Sequence, residues 1–212
     1  LDLVKCFCLD PLFAAPETKE RREGMSFRIF KRFSTMDLVV ITMMAALGIA
    51  IKPVVTPLVQ IITGPLLLPG GVVAGGFYML WLVLGYGLTG NKTGTALLIG
   101  LVQGLIVILQ PFANHGAFSL ISYAAPGFAV ELVYLLLKGP RSPIRAFAGG
   151  VAANLTGSFL VMTVVMRVVI WRLPLVPFLL MVLTATLAGG LGGLVAYGLL
   201  TRLQKFSVFG RK

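Results

Sequence analysis

Residues 53–91 read PVVTPLVQIITGPLLLPGGVVAGGFYMLWLVLGYGLTGN, 39 residues without a charge. About 18 apolar residues already mark a transmembrane helix candidate, so this run holds more than one crossing unless it is buried core. The neighbouring sequence removes the second option. Residues 93–137 carry one charge, Glu131, and residues 173–201 carry none. Over the 212 residues, 58% are hydrophobic and 12% charged, against roughly 25% charged in soluble chains. Mean hydropathy is +0.96. The composition excludes a soluble enzyme and a soluble nucleic-acid binder. The two cysteines, Cys6 and Cys8, offer no disulfide framework and no metal cluster.

Breaks in the apolar pattern divide the body into six helices, at about 36–56, 66–89, 94–111, 118–138, 144–170 and 175–202. The separators contain Gly, Pro or Asn, as turns require: Thr56-Pro57 through Gly64-Pro65, Thr89 to Lys92, Pro111 to Gly116, Lys138 to Pro143, and Trp171 to Pro174. The expected fold class is an all-α membrane protein of six transmembrane helices. Residues 1–33 form a cytosolic tail, 34–204 the six-helix domain and 205–212 a basic cytosolic tail. Five of the seven acids precede Met25. Residues 1–24 therefore read as a disordered tail, or as an over-extended reading frame whose true start is Met25.

The net charge of +11 is unevenly placed. With the N-terminus inside, Arg28, Lys31, Arg32, Lys92, Lys138, Arg141, Arg145, Arg202, Lys205, Arg211 and Lys212 are cytosolic, and only Lys52, Arg167 and Arg172 fall to the outer half. The positive-inside rule then predicts both termini in the cytosol. The basic excess reports orientation and contact with anionic lipid headgroups, and needs no nucleic acid.

No G-x-x-x-x-G-K-[ST] loop is present, so the chain carries no phosphate-cradling ATPase motif. The single histidine, His115, cannot supply an H-E-x-x-H metal site. What remains is a polar and aromatic set inside the spans. Counting at about 1.5 Å per residue puts Tyr78, Trp81, Gln103, Glu131 and Asn154 in one layer of the bilayer. A carboxylate within a span marks a functional site by default. Glu131 reads as a counter-ion for a cationic or amine-bearing ligand, as a protonated carboxyl, or as interhelical glue satisfied by Gln103 and Asn154. Nearer the outer face lie Gln60, Thr63, Gln110, Asn114, His115, Tyr123, Arg167 and Trp171. Arg167 and Trp171 suit the headgroup belt, whereas Asn114-His115-Gly116 is either a polar turn or a lid over a cavity. Small residues four apart, among them Ala46 and Ala50, Gly71 and Gly75, Gly100 and Gly104, Ala153 and Gly157, and Gly189 and Gly193, permit close helix approach.

Six spans with both ends inside, no ATPase, Ala46-x-x-x-Ala50 on helix 1 and a long polar-aromatic loop after it together resemble the substrate-binding S component of an energy-coupling factor (ECF) vitamin transporter. Gly64-Pro65 through Trp81, Asn91-Lys92-Thr93-Gly94-Thr95-Ala96, Asn114-His115-Gly116 and the Glu131 helix are most similar to the thiamine or hydroxymethylpyrimidine (YkoE-like) type. The resemblance covers roughly residues 34–200. It implies a subunit of the bacterial or archaeal cytoplasmic membrane that captures a vitamin from outside. Partners would be a transmembrane coupling (T) subunit, two cytosolic ATPase subunits and membrane lipid, with no cofactor or metal. Ala46 and Ala50 would meet the coupling subunit. From depth and chemistry, Trp81 and Tyr78 would stack on a flat heteroaromatic cation, Glu131 would take its charge, and Gln103, Asn114, His115 and Asn154 would hydrogen-bond it. Two other readings stand beside this one: a stand-alone carrier of a small amine with Glu131 as its proton site, and a structural subunit of a membrane complex.

Overall fold

The computed structural model describes residues 32–64, 70–110, 116–137, 141–165, 167 and 174–205. Every regular element among them is helical: α1 (Thr35–Ala50), α2 (Lys52–Thr63), α3 (Gly70–Leu88), α4 (Thr95–Ile108), α5 (Ser119–Leu136), α6 (Pro143–Leu160) and α7 (Leu175–Lys205). A 3-10 turn at Gly116–Phe118 leads into α5, and a π turn at Val161–Val165 extends α6. Five segments are long and apolar enough to cross a membrane; Thr95–Ile108, at 14 residues, is a shorter apolar helix.

Contacts divide the chain into Leu1–Leu38 and Val39–Lys212. In the first unit, the backbone N–H and hydroxyl of Ser34 donate to one Asp37 carboxylate oxygen at 2.7 and 2.9 Å, and the Asp37 N–H donates back to the Ser34 hydroxyl at 3.3 Å. This reciprocal cap satisfies donors that the first turn of α1 would otherwise leave open.

Helix 1 was expected to end near residue 56. Instead, α1 and α2 run almost continuously and count as one 27-residue span, Thr35–Ile61, interrupted only by a turn at Ile51. Pro53 sits in the first turn of α2, where its missing N–H costs nothing, and Pro57 lies inside the helix. Proline signals a turn in water, but hydrocarbon offers the freed backbone no other partner than a continued helix. The segment expected as a loop is therefore mostly α2. Residues 65–69, the expected start of helix 2, lie outside the described residues.

In the second unit, α7 packs along α3 and α6, α5 lies against both α4 and α6, and α3 also touches α2, α4 and α6. Glycines set these approaches. A Cβ on Gly192 would come within 2.8 Å of the Gly76 Cα, one on Gly189 within 2.7 Å of the Asn154 Cβ, and one on Gly104 within 2.9 Å of the Leu120 Cα. Backbone-to-backbone packing is how helices associate where lipid removes the hydrophobic drive. Around Val72, Met162, Met181 and Ala185 pack the partly buried Leu155, Phe159, Phe178 and Val182.

The turn between α3 and α4 is built on positive φ angles at Gly90 (78°), Asn91 (61°) and Gly94 (98°). The Asn91 N–H donates to the Tyr86 carbonyl at 3.0 Å, closing α3, and the Thr89 and Thr95 hydroxyls meet at 2.9 Å across the turn. The sequence GNKTGTA thus encodes a tight reversal that starts α4.

Candidate functional site

Lys52 opens α2, inside the first span. Its ammonium donates to the Tyr123 hydroxyl on α5 at 2.5 Å. It also lies 4.0 Å from the Tyr123 ring centre and 4.7 Å from that of Tyr78 on α3. Aromatic faces carry negative potential, so both rings stabilise the cation. The Tyr78 hydroxyl is taken up by Thr56, one turn along α2, at 2.6 Å. Among the described residues no carboxylate pairs with Lys52. A lysine at the centre of a span costs about 2.5–3.5 kcal/mol on insertion scales, and two neighbouring helices, α3 and α5, supply the groups that offset it here.

One turn before Lys52, Gly48 leaves room for two polar side chains. A Cβ there would lie 3.3 Å from Trp81 Cδ1 and would collide with the Gln103 amide. Trp81 follows Tyr78 by three residues, so both project from one side of α3. The Trp81 indole N–H is buried without an acceptor among the described residues. Gln103 is 5% exposed, and its amide lies against Gly48. Buried polar groups normally find partners. An unspent indole N–H and a neighbouring primary amide, one turn from an aromatic-bound ammonium, make a site with donors and stacking surfaces in hand.

Glu131 and Asn154 lie elsewhere. One Glu131 carboxylate oxygen accepts the Ala96 N–H at 2.8 Å, in the first turn of α4, where the helix dipole favours an anion. Asn154 donates its amide to the Val72 carbonyl at 3.1 Å and the Ala185 carbonyl at 2.8 Å, tying α6 to α3 and α7, and its oxygen lies against Gly75. Gly75 is six residues from Trp81 and Ala96 seven from Gln103, about 9 and 10 Å along the helices. The single layer expected from residue counting therefore separates into three levels. Tyr78, Trp81 and Gln103 occupy the middle, with Asn154 toward one end of the bundle and Glu131 toward the other. The expected mutual satisfaction of Glu131 by Gln103 and Asn154 does not form: Glu131 takes the Ala96 N–H, Asn154 donates to the Val72 and Ala185 carbonyls, and the Gln103 amide lies against Gly48.

Asn114, His115 and Trp171 lie outside the described residues. Arg167 and Gln110 are exposed. Ala46 and Ala50 are both exposed on α1, in a face shared with Val39, Met43 and Leu47. Near the Leu88 end of α3, Tyr86 and Tyr134 stack at 4.6 Å, and the Arg145 guanidinium lies 5.0 Å from the Tyr134 ring. They line a small pocket with Asn91, Arg141 and Tyr197.

Residues 36–155, more than half of the chain, match the family described as ABC-type cobalt transport system, permease component. The chain belongs to that family. As a permease component it is a multi-pass membrane subunit of a transporter, and the family is one of transport proteins with no catalytic step of their own. Its fold is that of a solved structure described as an S-component of an ECF transporter, with a TM-score of 0.68 at 15% identity, covering 84% of this chain and 88% of that one. No curated protein matches the chain.

Sequence reasoning about this permease component missed Lys52 and placed Tyr123 in a separate outer layer. The signal was present: Lys52 is the one basic residue inside the first apolar run. The charge count places it with the outer half, although the helix expected at 36–56 already contains it. With α2 continuing to Thr63, Lys52 lies farther from the end of the span and the default for an intramembrane ionisable group applies.

Proposed function

We propose that this permease component is the substrate-capturing S component of an ECF-type importer, taking up a small flat heteroaromatic solute. The observation that carries the reading is the convergence of Tyr78, Trp81, Gln103, Tyr123 and Lys52 from four helices. The S-component fold supports the same reading. Stacking faces, an unspent indole N–H and a primary amide suit a ring with exocyclic donors and acceptors. Thiamine and its pyrimidine half, hydroxymethylpyrimidine, remain the first solutes to test. The neutral pyrimidine fits better than a thiazolium cation, since the charge among the tyrosines is already positive.

In this reading the protein sits in a bacterial or archaeal cytoplasmic membrane with both termini inside, as the basic loops favour. A transmembrane coupling subunit docks on the exposed Ala46 and Ala50 face, and two cytosolic ATPases supply energy. Asn114 and His115, which lie outside the described residues, stay in the reading as hydrogen-bonding candidates from the sequence. Glu131 and Asn154 brace the helices that carry the site.

The family description names cobalt. A bare divalent cation would meet the Lys52 ammonium, and among the described residues no three His, Cys, Asp or Glu side chains gather. Calorimetry on the purified chain distinguishes the two. Tight binding of hydroxymethylpyrimidine or thiamine, with no heat from cobalt ions, is the expected result. Cobalt binding without any heteroaromatic ligand would overturn the proposal. Uptake in liposomes lacking every partner subunit would instead favour a stand-alone carrier.

A further inference from the structure

Lys52 is more than a snorkelling flank residue, and its unmet demand states what the ligand carries. The ammonium has three N–H donors. One goes to the Tyr123 hydroxyl at 2.5 Å, while the Tyr78 hydroxyl is committed to Thr56. Ring faces at 4.0 and 4.7 Å spread the charge without cancelling it. No carboxylate among the described residues completes the pair. Charged groups inside a span face the interior and are paired, and those left for a substrate mark its route.

We infer that the ligand bears an oxyanion, carboxylate or phosphate, which docks on Lys52 while its ring lies against Tyr78 and Trp81. This rests on the heteroaromatic reading above and specifies one end of the solute. A charge-assisted hydrogen bond in a water-poor site outweighs the neutral bond that an alcohol would make. Tyr123 positions the ammonium from below, and Thr56 holds the Tyr78 ring in place. Gln103 and the Trp81 N–H are left for the ring's own heteroatoms.

The test compares three forms of one heteroaromatic solute on the purified full chain in lipid nanodiscs: hydroxymethylpyrimidine, its phosphate ester and its carboxylate analogue. At least one oxyanion form should bind about tenfold or more tighter than the alcohol, and which one identifies the group. Lys52→Met should level the three affinities, whereas Lys52→Arg should keep the preference. The wild-type comparison stands even if Lys52→Met fails to fold. An alcohol that binds as tightly as both oxyanions overturns this inference and leaves the heteroaromatic reading intact. An absence of binding by all three, with thiamine also inert, overturns the reading itself.

Discussion

Lys52 and Tyr123, 71 residues apart in sequence, join α2 to α5 through one 2.5 Å hydrogen bond. The contact holds a cation inside the bundle and fixes how the first span meets the fourth. Tyr123→Phe keeps the ring and removes the hydroxyl. Polar contacts between membrane helices average about 0.6 kcal/mol and reach about 1.7. A loss of about 1 kcal/mol in unfolding experiments in mixed micelles is expected, with ligand affinity falling as the ammonium loses its anchor. Unchanged affinity would place the ligand away from Lys52.

Trp81→Leu removes the indole N–H and the stacking face while preserving an apolar side chain. Aromatic contacts contribute about 0.5–1.5 kcal/mol beyond burial, so solute affinity should drop roughly tenfold by calorimetry. The fold should persist, shown by an unchanged far-ultraviolet circular dichroism spectrum.

Asn154→Ala deletes the amide that donates to Val72 and Ala185. The expected outcome is a stability loss of about 1–2 kcal/mol, two bonds at the membrane scale. Solute affinity measured below the melting range should stay within a factor of about three. A larger affinity loss than stability loss would return Asn154 to the binding site.

Gly192→Val places a branched side chain where a Cβ alone would come within 2.8 Å of the Gly76 Cα. Overpacking of this kind typically costs about 1–3 kcal/mol, and backbone on both sides leaves little room to relax. A lowered melting temperature is the readout. Gly71→Ala, on the same helix as Gly76 but with open space around it, is the matched control and should melt like the parent.

Ala46→Leu with Ala50→Leu enlarges two exposed side chains on α1. Solute binding by the isolated chain should be unchanged. Uptake by cells that supply the coupling and ATPase subunits should fall to background, because bulk at a small-residue face holds the partner helix away. Normal uptake would exclude this face as the docking surface.

The membrane class and helical fold were legible because charge scarcity over long runs has few other physical causes. Four of the helices fell close to their expected places, since Gly, Pro and charge mark their ends. The first did not, because Pro57 breaks helices in water but is carried within one in lipid. The candidate site was half legible. Tyr78, Trp81 and Gln103 were named from chemistry and depth and enter the proposed site on that ground, while Lys52 and Tyr123 depended on a tertiary contact that no local pattern announces. Glu131 and Asn154 drew attention for a sound reason, the cost of burying them. Which partner met that cost, a helix start or two backbone carbonyls, was not written in their own neighbourhoods.

The bond from Glu131 to Ala96 gains weight from the shortness of α4. With 14 residues, that helix has little length over which to absorb a slip. Holding its first turn fixes the height of Gln103, seven residues on, beside Trp81. A carboxylate about 10 Å along α4 from Gln103 thus acts as a set-screw: exchanging it is expected to retune solute affinity through the height of Gln103.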